Sequence, residues 1–170
     1  MMFLTTTYAW IPLYLILLYL LIKNFRKQTW LVLVAIALTI LLADQITSSI
    51  MKPFFERLRP SHEPSLAEHV FIVNKYRGGR FGFASSHAAN TFGIATLMWL
   101  VLKIYRPWIG LLFLWTLFVG YTRIYLGVHY PGDILAGYLV GFVCAILAYL
   151  LMRFAKNLLD RRTTLRPGSQ

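Results

Sequence analysis

Cysteine is almost missing from this chain. Cys144 is the only one, it lies inside an apolar run, and without a partner it can build neither a disulfide framework nor a Cys-ligated metal site. It reads as a small buried hydrophobe. Charge is scarce as well: 14% of the 170 residues are charged and 6 are acidic, against 58% apolar residues and a mean hydropathy of +0.62. That composition is too greasy for an ordinary soluble domain of this length. Low-complexity segments and repeats are absent. So is the positive charge that precedes the apolar core of a secretory signal, because Met-Met-Phe-Leu-Thr-Thr-Thr carries none while Lys23, Arg26 and Lys27 follow the first apolar run. The expectation is one membrane-embedded domain over residues 1–170, with its first segment retained as a helix and its N-terminus outside.

What the chain has in quantity is apolar sequence. Five stretches stand out, Leu4 to Ile22, Trp30 to Ile50, Ala88 to Ile104, Trp108 to Tyr121 and Ile134 to Met152. Most approach the roughly 20 residues a helix needs to cross a bilayer core. The fourth is short and recruits Pro107 and the Arg123 end as flanks. Aromatic residues make up 16% of the chain, with 5 Trp and 10 Tyr, suited to the headgroup level. The predicted fold class is all-α, a polytopic transmembrane helix bundle of about five to six helices with an extracytoplasmic loop. Lys23, Arg26, Lys27, Lys103, Arg106, Arg153, Lys156, Arg161, Arg162 and Arg166 fall on one side and are read as cytoplasmic by the positive-inside rule. This topology also accounts for most of the +11 net charge, so nucleic acid is not an expected partner. The basic tail from Arg153 to Arg166 either rests on anionic headgroups or is solvated.

Three polar clusters sit beside apolar stretches on the opposite side. In Lys52-Pro-Phe-Phe-Glu-Arg-Leu-Arg59-Pro60, two cations can bracket one phosphate, Arg59 through its planar fork and Lys52 as a point charge. Ordinary interfacial snorkelling explains the same pair. Arg57 between them reads as a solvated rim charge. In Ala84-Ser85-Ser86-His87, either serine can cap the helix that follows, whose free N–H groups and positive dipole end cradle an anion. A plain N-cap beside a chance histidine is the alternative. The third cluster, Arg123-Ile-Tyr-Leu-Gly-Val-His129-Tyr-Pro-Gly-Asp133, is the most informative. Pro131-Gly132 makes a turn that can fold His129 over Asp133, and a carboxylate on one ring nitrogen leaves the other free as a nucleophile. Asp133 as a mere helix cap remains the competing reading.

Lys-x6-Arg-Pro, then Ser-x-His before a helix, then Arg-x5-His-x3-Asp, in that order, resembles the type 2 phosphatidic acid phosphatase family, whose soluble relatives include bacterial acid phosphatases and vanadium haloperoxidases. The likeness runs from Lys52 to Asp133. Two positions depart from it: the family's usual Pro-Ser-Gly-His is Ala84-Ser85-Ser86-His87, and the usual Ser before the third-motif Arg is Thr122. The resemblance implies a metal-independent phosphatase without cofactors. His129 would be the nucleophile forming a phosphohistidine, His87 the acid and Asp133 the residue that orients His129. Lys52, Arg59, Ser85, Ser86 and Arg123 would bind the phosphoryl group. Asp133 pushes the His129 pKa up and the cations push it down. The family core usually has six membrane helices, so one on the N-terminal side has no counterpart among the five stretches.

The implied substrate is a lipid phosphate or pyrophosphate held in the bilayer, with undecaprenyl pyrophosphate as the lead. Phosphatidylglycerol phosphate, phosphatidate and lipid A 1-phosphate are the rivals. A non-catalytic phospholipid-binding or transport protein would keep the cations but has no use for an Asp-oriented histidine. A phosphatase for soluble substrates would lack enclosing residues. Asp44, eight residues before Lys52 on the same predicted helix face, reads as support for the cation cluster or as a structural polar contact. Gly137-x-x-x-Gly141 permits close helix packing, within the monomer or in a dimer. His62, Glu63, Glu68 and His69 match no metal-ligand spacing and read as part of a solvated lid with Tyr76, Arg77 and Arg80.

Overall fold

The structure, a computed structural model, describes residues 6–66 and 68–164. Five long helices carry the chain. A 3-10 turn, Thr7–Trp10, leads into α1, Ile11–Phe25, with Pro12 in its first turn, where a missing N–H costs nothing. Arg26, at φ 46°, ends α1, and the Thr29 hydroxyl donates to its carbonyl at 2.7 Å, pinning the turn. The chain then reverses, since Tyr14 of α1 and Ile40 of the next helix line one apolar cavity of about 330 Å³. Helix α2, Thr29–Asp44, widens into a π-helical stretch, Gln45–Met51, and closes with the turn Lys52–Phe55. Glu56 in the left-handed region stops it.

Helix α3 is Ser86–Val101. Leu102 leaves helical geometry, and the segment Lys103–Ile109 departs at 104° to α3. The third apolar stretch, read as Ala88 to Ile104, is therefore helical only to Val101 before the bend. Helix α4 is Leu111–Tyr125, 15 residues, or about 22 Å at 1.5 Å per residue, short of a bilayer core as its sequence suggested. Helix α5, Pro131–Thr164, begins on Pro131 and continues twelve residues past the expected end at Met152, so the described part of the basic tail is helical. Arg166 and the start of the first stretch at Leu4 lie outside the described residues. By length and composition the hairpin Tyr8–Phe55, folded back at Arg26, and the helix Pro131–Arg161 can cross a membrane, and α3 with its bent continuation can add a further span.

Helix α3 is the central element, packed between α5, α2 and α4. The approach of α5 is set by glycine. A Cβ on Gly141 would collide with the Ala89 carbonyl, and one on Gly137 with the Ser85 carbonyl, so these two positions let the α5 backbone press directly on α3. The small-residue stripe is therefore used within the monomer. It docks the start of α5, with Asp133, beside the start of α3, with Ser85 and His87. Further along the bundle Leu97, Met98, Leu102, Leu112, Trp115 and Ala145 form the main apolar core. Outward-facing Leu15, Leu114, Leu139 and Leu151 are more than half exposed, as a lipid-facing surface requires.

Candidate active site

Four segments meet at one end of the bundle, and backbone hydrogen bonds fix their order. Leu58 bridges Phe81 in antiparallel fashion, Arg59 N–H donates to the Arg80 carbonyl at 3.2 Å, and Gly82 N–H donates to the Arg57 carbonyl at 2.9 Å. The first cluster is thus stitched to the segment that enters α3. Ser85 N–H donates to the Asp133 carbonyl at 3.0 Å, stitching the second cluster to the third. Ser85 is the N-cap of α3, its hydroxyl accepting from Ala88 N–H at 3.4 Å, while the N–H groups of Ser86 and His87 have no partner within the helix. Every residue singled out in the three clusters is brought to this end.

Arg59 is 8% exposed, and its Nε donates to the Phe81 carbonyl at 3.0 Å. Gly78, with φ +66°, lies so close to the Arg59 guanidinium that a side chain there would strike it. Burial and the neighbouring Arg123 charge pull the Arg59 pKa down from its ordinary value. Arg123 is 3% exposed, donates to the Tyr76 hydroxyl at 3.1 Å, and leaves Nε buried without a hydrogen-bond partner. A buried guanidinium with an unused donor, beside two further cations, is arranged for an anion. Lys52 Nζ donates to Ser86 Oγ at 2.7 Å and to Ser48 Oγ at 3.1 Å. Solvent-facing His87, in the first turn of α3, lies within electrostatic reach of Arg123, His129, Lys52 and Arg59.

His129 sits in the short connection before α5, 3% exposed, with Nδ1 3.4 Å from Asp133 Oδ2. That separation is long for a hydrogen bond and leaves Nδ1 without a well-formed partner, so the pair is a loose contact that substrate can tighten. The same carboxylate oxygen accepts from Tyr130 N–H at 2.9 Å, and Oδ1 accepts from Arg57 at 3.1 Å. Arg57 also stacks over the Tyr130 ring at 4.2 Å. It is therefore no free rim charge, as spacing alone suggested. The antiparallel pairing of 57–59 with 80–82 aims it inward at Asp133. Burial is the largest influence on the His129 pKa and lowers it, Asp133 opposes it through its close contact and its charge, Arg59 and Arg123 add to it, and the net direction is downward. His129 is neutral at pH 7, with a lone pair to give.

Two expectations change in detail. The Ser86 hydroxyl holds Lys52, so what Ser86 offers an anion directly is its N–H. Asp44 meets Lys52 through Ser48, whose hydroxyl donates to Asp44 Oδ1 at 3.2 Å. Tyr76 covers Arg123, and Arg77 is tied back to the Ser61 carbonyl at 3.0 Å. His62, Glu63, Glu68 and His69 do not converge, and among the described residues no three His, Cys, Asp or Glu side chains do. A cleft of about 290 Å³ between His69, Val70, Phe71, Ile124 and Tyr125 reaches His129 from the side.

The sequence profile of the PAP2 superfamily matches residues 28–157. A lipid A 4'-phosphatase of Bacteroides thetaiotaomicron is 46% identical over 145 residues, covering 84% of this chain and 64% of that protein. A lipid A 4'-phosphatase of Porphyromonas gingivalis is 36% identical over 146 residues, covering 83% of this chain and 59% of that protein. The chain thus spans about three fifths of the length of these curated relatives. The crystal structure of Aquifex aeolicus LpxE superimposes with a TM-score of 0.59 at 30% identity, covering 86% of this chain and 79% of that one.

Proposed function

The chain belongs to the PAP2 superfamily, and from that premise we propose that it is an integral membrane phosphatase that removes a phosphate from a lipid. The observation that carries the reading is the pairing of a neutral, buried His129 with three cations, one of which, Arg123, keeps a buried donor unused. The phosphoryl oxygens take the free donors of Lys52, Arg59 and Arg123 and the N–H groups of Ser86 and His87. Charge that spreads over these oxygens in the transition state meets donors already in place. His129 Nε2 attacks phosphorus and the P–O bond to the lipid breaks. The bound phosphate's negative charge offsets the surrounding cations, so that His87 can hold the proton it then gives to the leaving oxygen, and the lipid departs as an alcohol. Asp133 orients the ring and stabilises the positive charge it acquires. Water, deprotonated by His87, then attacks the phosphohistidine, releasing inorganic phosphate and restoring both histidines. Ser85 supports this set as the buried cap of α3.

The substrate lead changes. Undecaprenyl pyrophosphate was expected first, but the two curated relatives described above are named lipid A phosphatases, so a phosphorylated lipid A headgroup now stands ahead of it. The charge bias of the connections supports a site on the extracytoplasmic face of the cytoplasmic membrane, where such a lipid could enter with its tails still in the bilayer. The test is phosphate release from lipid A 1- and 4'-phosphates, undecaprenyl pyrophosphate and phosphatidylglycerol phosphate by purified protein in detergent with EDTA. Release that survives chelation and disappears in His129→Ala supports the reading. Headgroup binding without release from any lipid would replace it with the binding-protein alternative.

A further inference from the structure

We propose that Asp44, Ser48 and Ser86 form a seat that fixes the Lys52 ammonium for phosphoryl transfer, with Ser48 as the principal positioning residue. This rests on the phosphatase reading above. A lysine ammonium swings on four rotatable bonds, and holding it still costs rotamer entropy. In a site that works by placing charge, a 1 Å error is costly in rate. Here two of the three ammonium protons are already committed, to Ser86 Oγ at 2.7 Å and to Ser48 Oγ at 3.1 Å, which leaves one for a phosphoryl oxygen.

Proton accounting gives the network a direction. The Asp44 carboxylate can only accept, so Ser48 spends its single proton on Oδ1 at 3.2 Å. Ser48 must then accept from both neighbours, so across the 2.9 Å contact Ser86 is the donor. Ser86 in turn has no proton left to turn toward Lys52, and a lone pair faces the ammonium; the Thr47 hydroxyl is 2.9 Å away and shares its one proton between Ser86 and the Ala43 carbonyl at 2.8 Å. The protons of Lys52, Ser86 and Ser48 therefore run down one path, ending on Asp44. A hydroxyl that rotated to present its proton to the ammonium would break a hydrogen bond to its other neighbour. The seat thus presents acceptors, backed by a carboxylate, to the ammonium.

Two features of the backbone build it. Asp44, Ser48 and Lys52 recur at intervals of four, a stripe along one helix face. The π-helical stretch Gln45–Met51 widens the turn so that Thr47 also reaches Ser86, and such insertions concentrate at functional sites. The other wall is Ser86 itself, where the family motif usually has glycine. Glycine has no side-chain oxygen to share, so this chain closes its seat with a hydroxyl of its own.

The experiment measures kcat, KM and inhibition by vanadate for wild type, Ser48→Ala, Ser48→Thr, Ser86→Gly and the Ser48→Ala/Ser86→Gly pair, with His129→Ala as control. Wild-type release that vanishes in the control secures the phosphatase reading; wild-type protein without release defeats that reading before the seat is at issue. With release secured, Ser48→Ala is expected to lower kcat about 10-fold with KM within about threefold. The vanadate inhibition constant should rise by about the same factor, because vanadate takes the five-coordinate geometry of transfer. Ser48→Thr restores the hydroxyl and should recover kcat to within about threefold. The double variant should fall short of the product of the single losses, since both serines serve one ammonium. The proposal is overturned if folded Ser48→Ala keeps kcat within twofold, if Ser48→Thr folds but recovers nothing, or if the vanadate constant stays put while kcat falls.

Discussion

Arg57 gives the sharpest prediction, because it holds Asp133, the carboxylate proposed to orient His129, while being 43% exposed itself. In Arg57→Gln the Asp133 Oδ1 atom loses its partner at 3.1 Å, and Asp133 has no solvent contact to replace it. A hydrogen bond to a charged group contributes about 1.5–3 kcal/mol. The half-exposed guanidinium is screened, which brings the share to about 1 kcal/mol. The stack on Tyr130 adds about 0.5 kcal/mol at an exposed site. At 1.4 kcal/mol per decade, the expected loss of kcat is about 10-fold. The sign on pH is independent of that magnitude. Arg57 offsets part of the Asp133 charge that His129 feels, so its removal favours the imidazolium and raises the His129 pKa from its lowered position. The acid limb of kcat/KM should therefore move to higher pH. Phosphate release measured from about pH 4.5 to 8 reads both effects. A rate within twofold of wild type with an unmoved limb would refute the claim that Arg57 acts through Asp133. So would a limb that moves to lower pH.

The lowered His129 pKa of the wild-type protein makes a related prediction. As pH falls through about 6.5, the ordinary histidine value, kcat/KM should hold, declining only at lower pH where the buried imidazole protonates; a limb at or above the ordinary value would contradict the burial argument. The linked stability has the matching sign: it is fully present above the unfolded pKa and is lost as pH falls toward the folded one, because the unfolded chain binds the proton first. For the scaffold, Gly141→Leu drives a side chain into the Ala89 carbonyl and should destabilise the bundle by about 3 kcal/mol, read as a lower unfolding temperature in detergent; an unchanged transition would mean that α5 does not press on α3 as described.

The sequence was most legible where local chemistry is punctuated. Pro131 begins α5 and Ser85 caps α3 as their residue types predict, and the three clusters converge because each lies at a helix end on the same side. The misread features are those that depend on pairing between distant segments or on backbone geometry no residue type announces. Arg57 reads as a solvated charge until the 57–59 and 80–82 segments are seen to pair. Asp44 and Lys52 lie on one predicted helix face, but the π-helical turn and the interposed Ser48 appear only in three dimensions. Hydropathy ended the last helix at Met152, whereas Arg153, Lys156, Leu158 and Leu159 favour helix strongly enough to continue it without a bilayer around them. The 104° bend after Val101 has no proline at its pivot and leaves no sign in the hydropathy pattern.

The partners of the three cations explain why the site waits for an anion instead of neutralising itself. Lys52 is held by two hydroxyls, Arg59 by a backbone carbonyl and Arg123 by a phenol. Each acceptor is a dipole, which positions a charge without cancelling it. The one buried carboxylate at the site, Asp133, is spent on His129, Tyr130 and Arg57, and Asp44 stands one hydroxyl removed from Lys52. A carboxylate placed directly against Lys52 or Arg123 would hold the cation equally still, but phosphate would then have to displace an ion pair. On this logic Ser48→Asp, which puts a carboxylate at the Lys52 ammonium, should raise KM more than Ser48→Ala does while leaving Lys52 well ordered. Comparing the two variants on one lipid substrate separates loss of position from loss of free charge, and a KM for Ser48→Asp no higher than for Ser48→Ala would contradict the claim that these cations are kept unneutralised for phosphate.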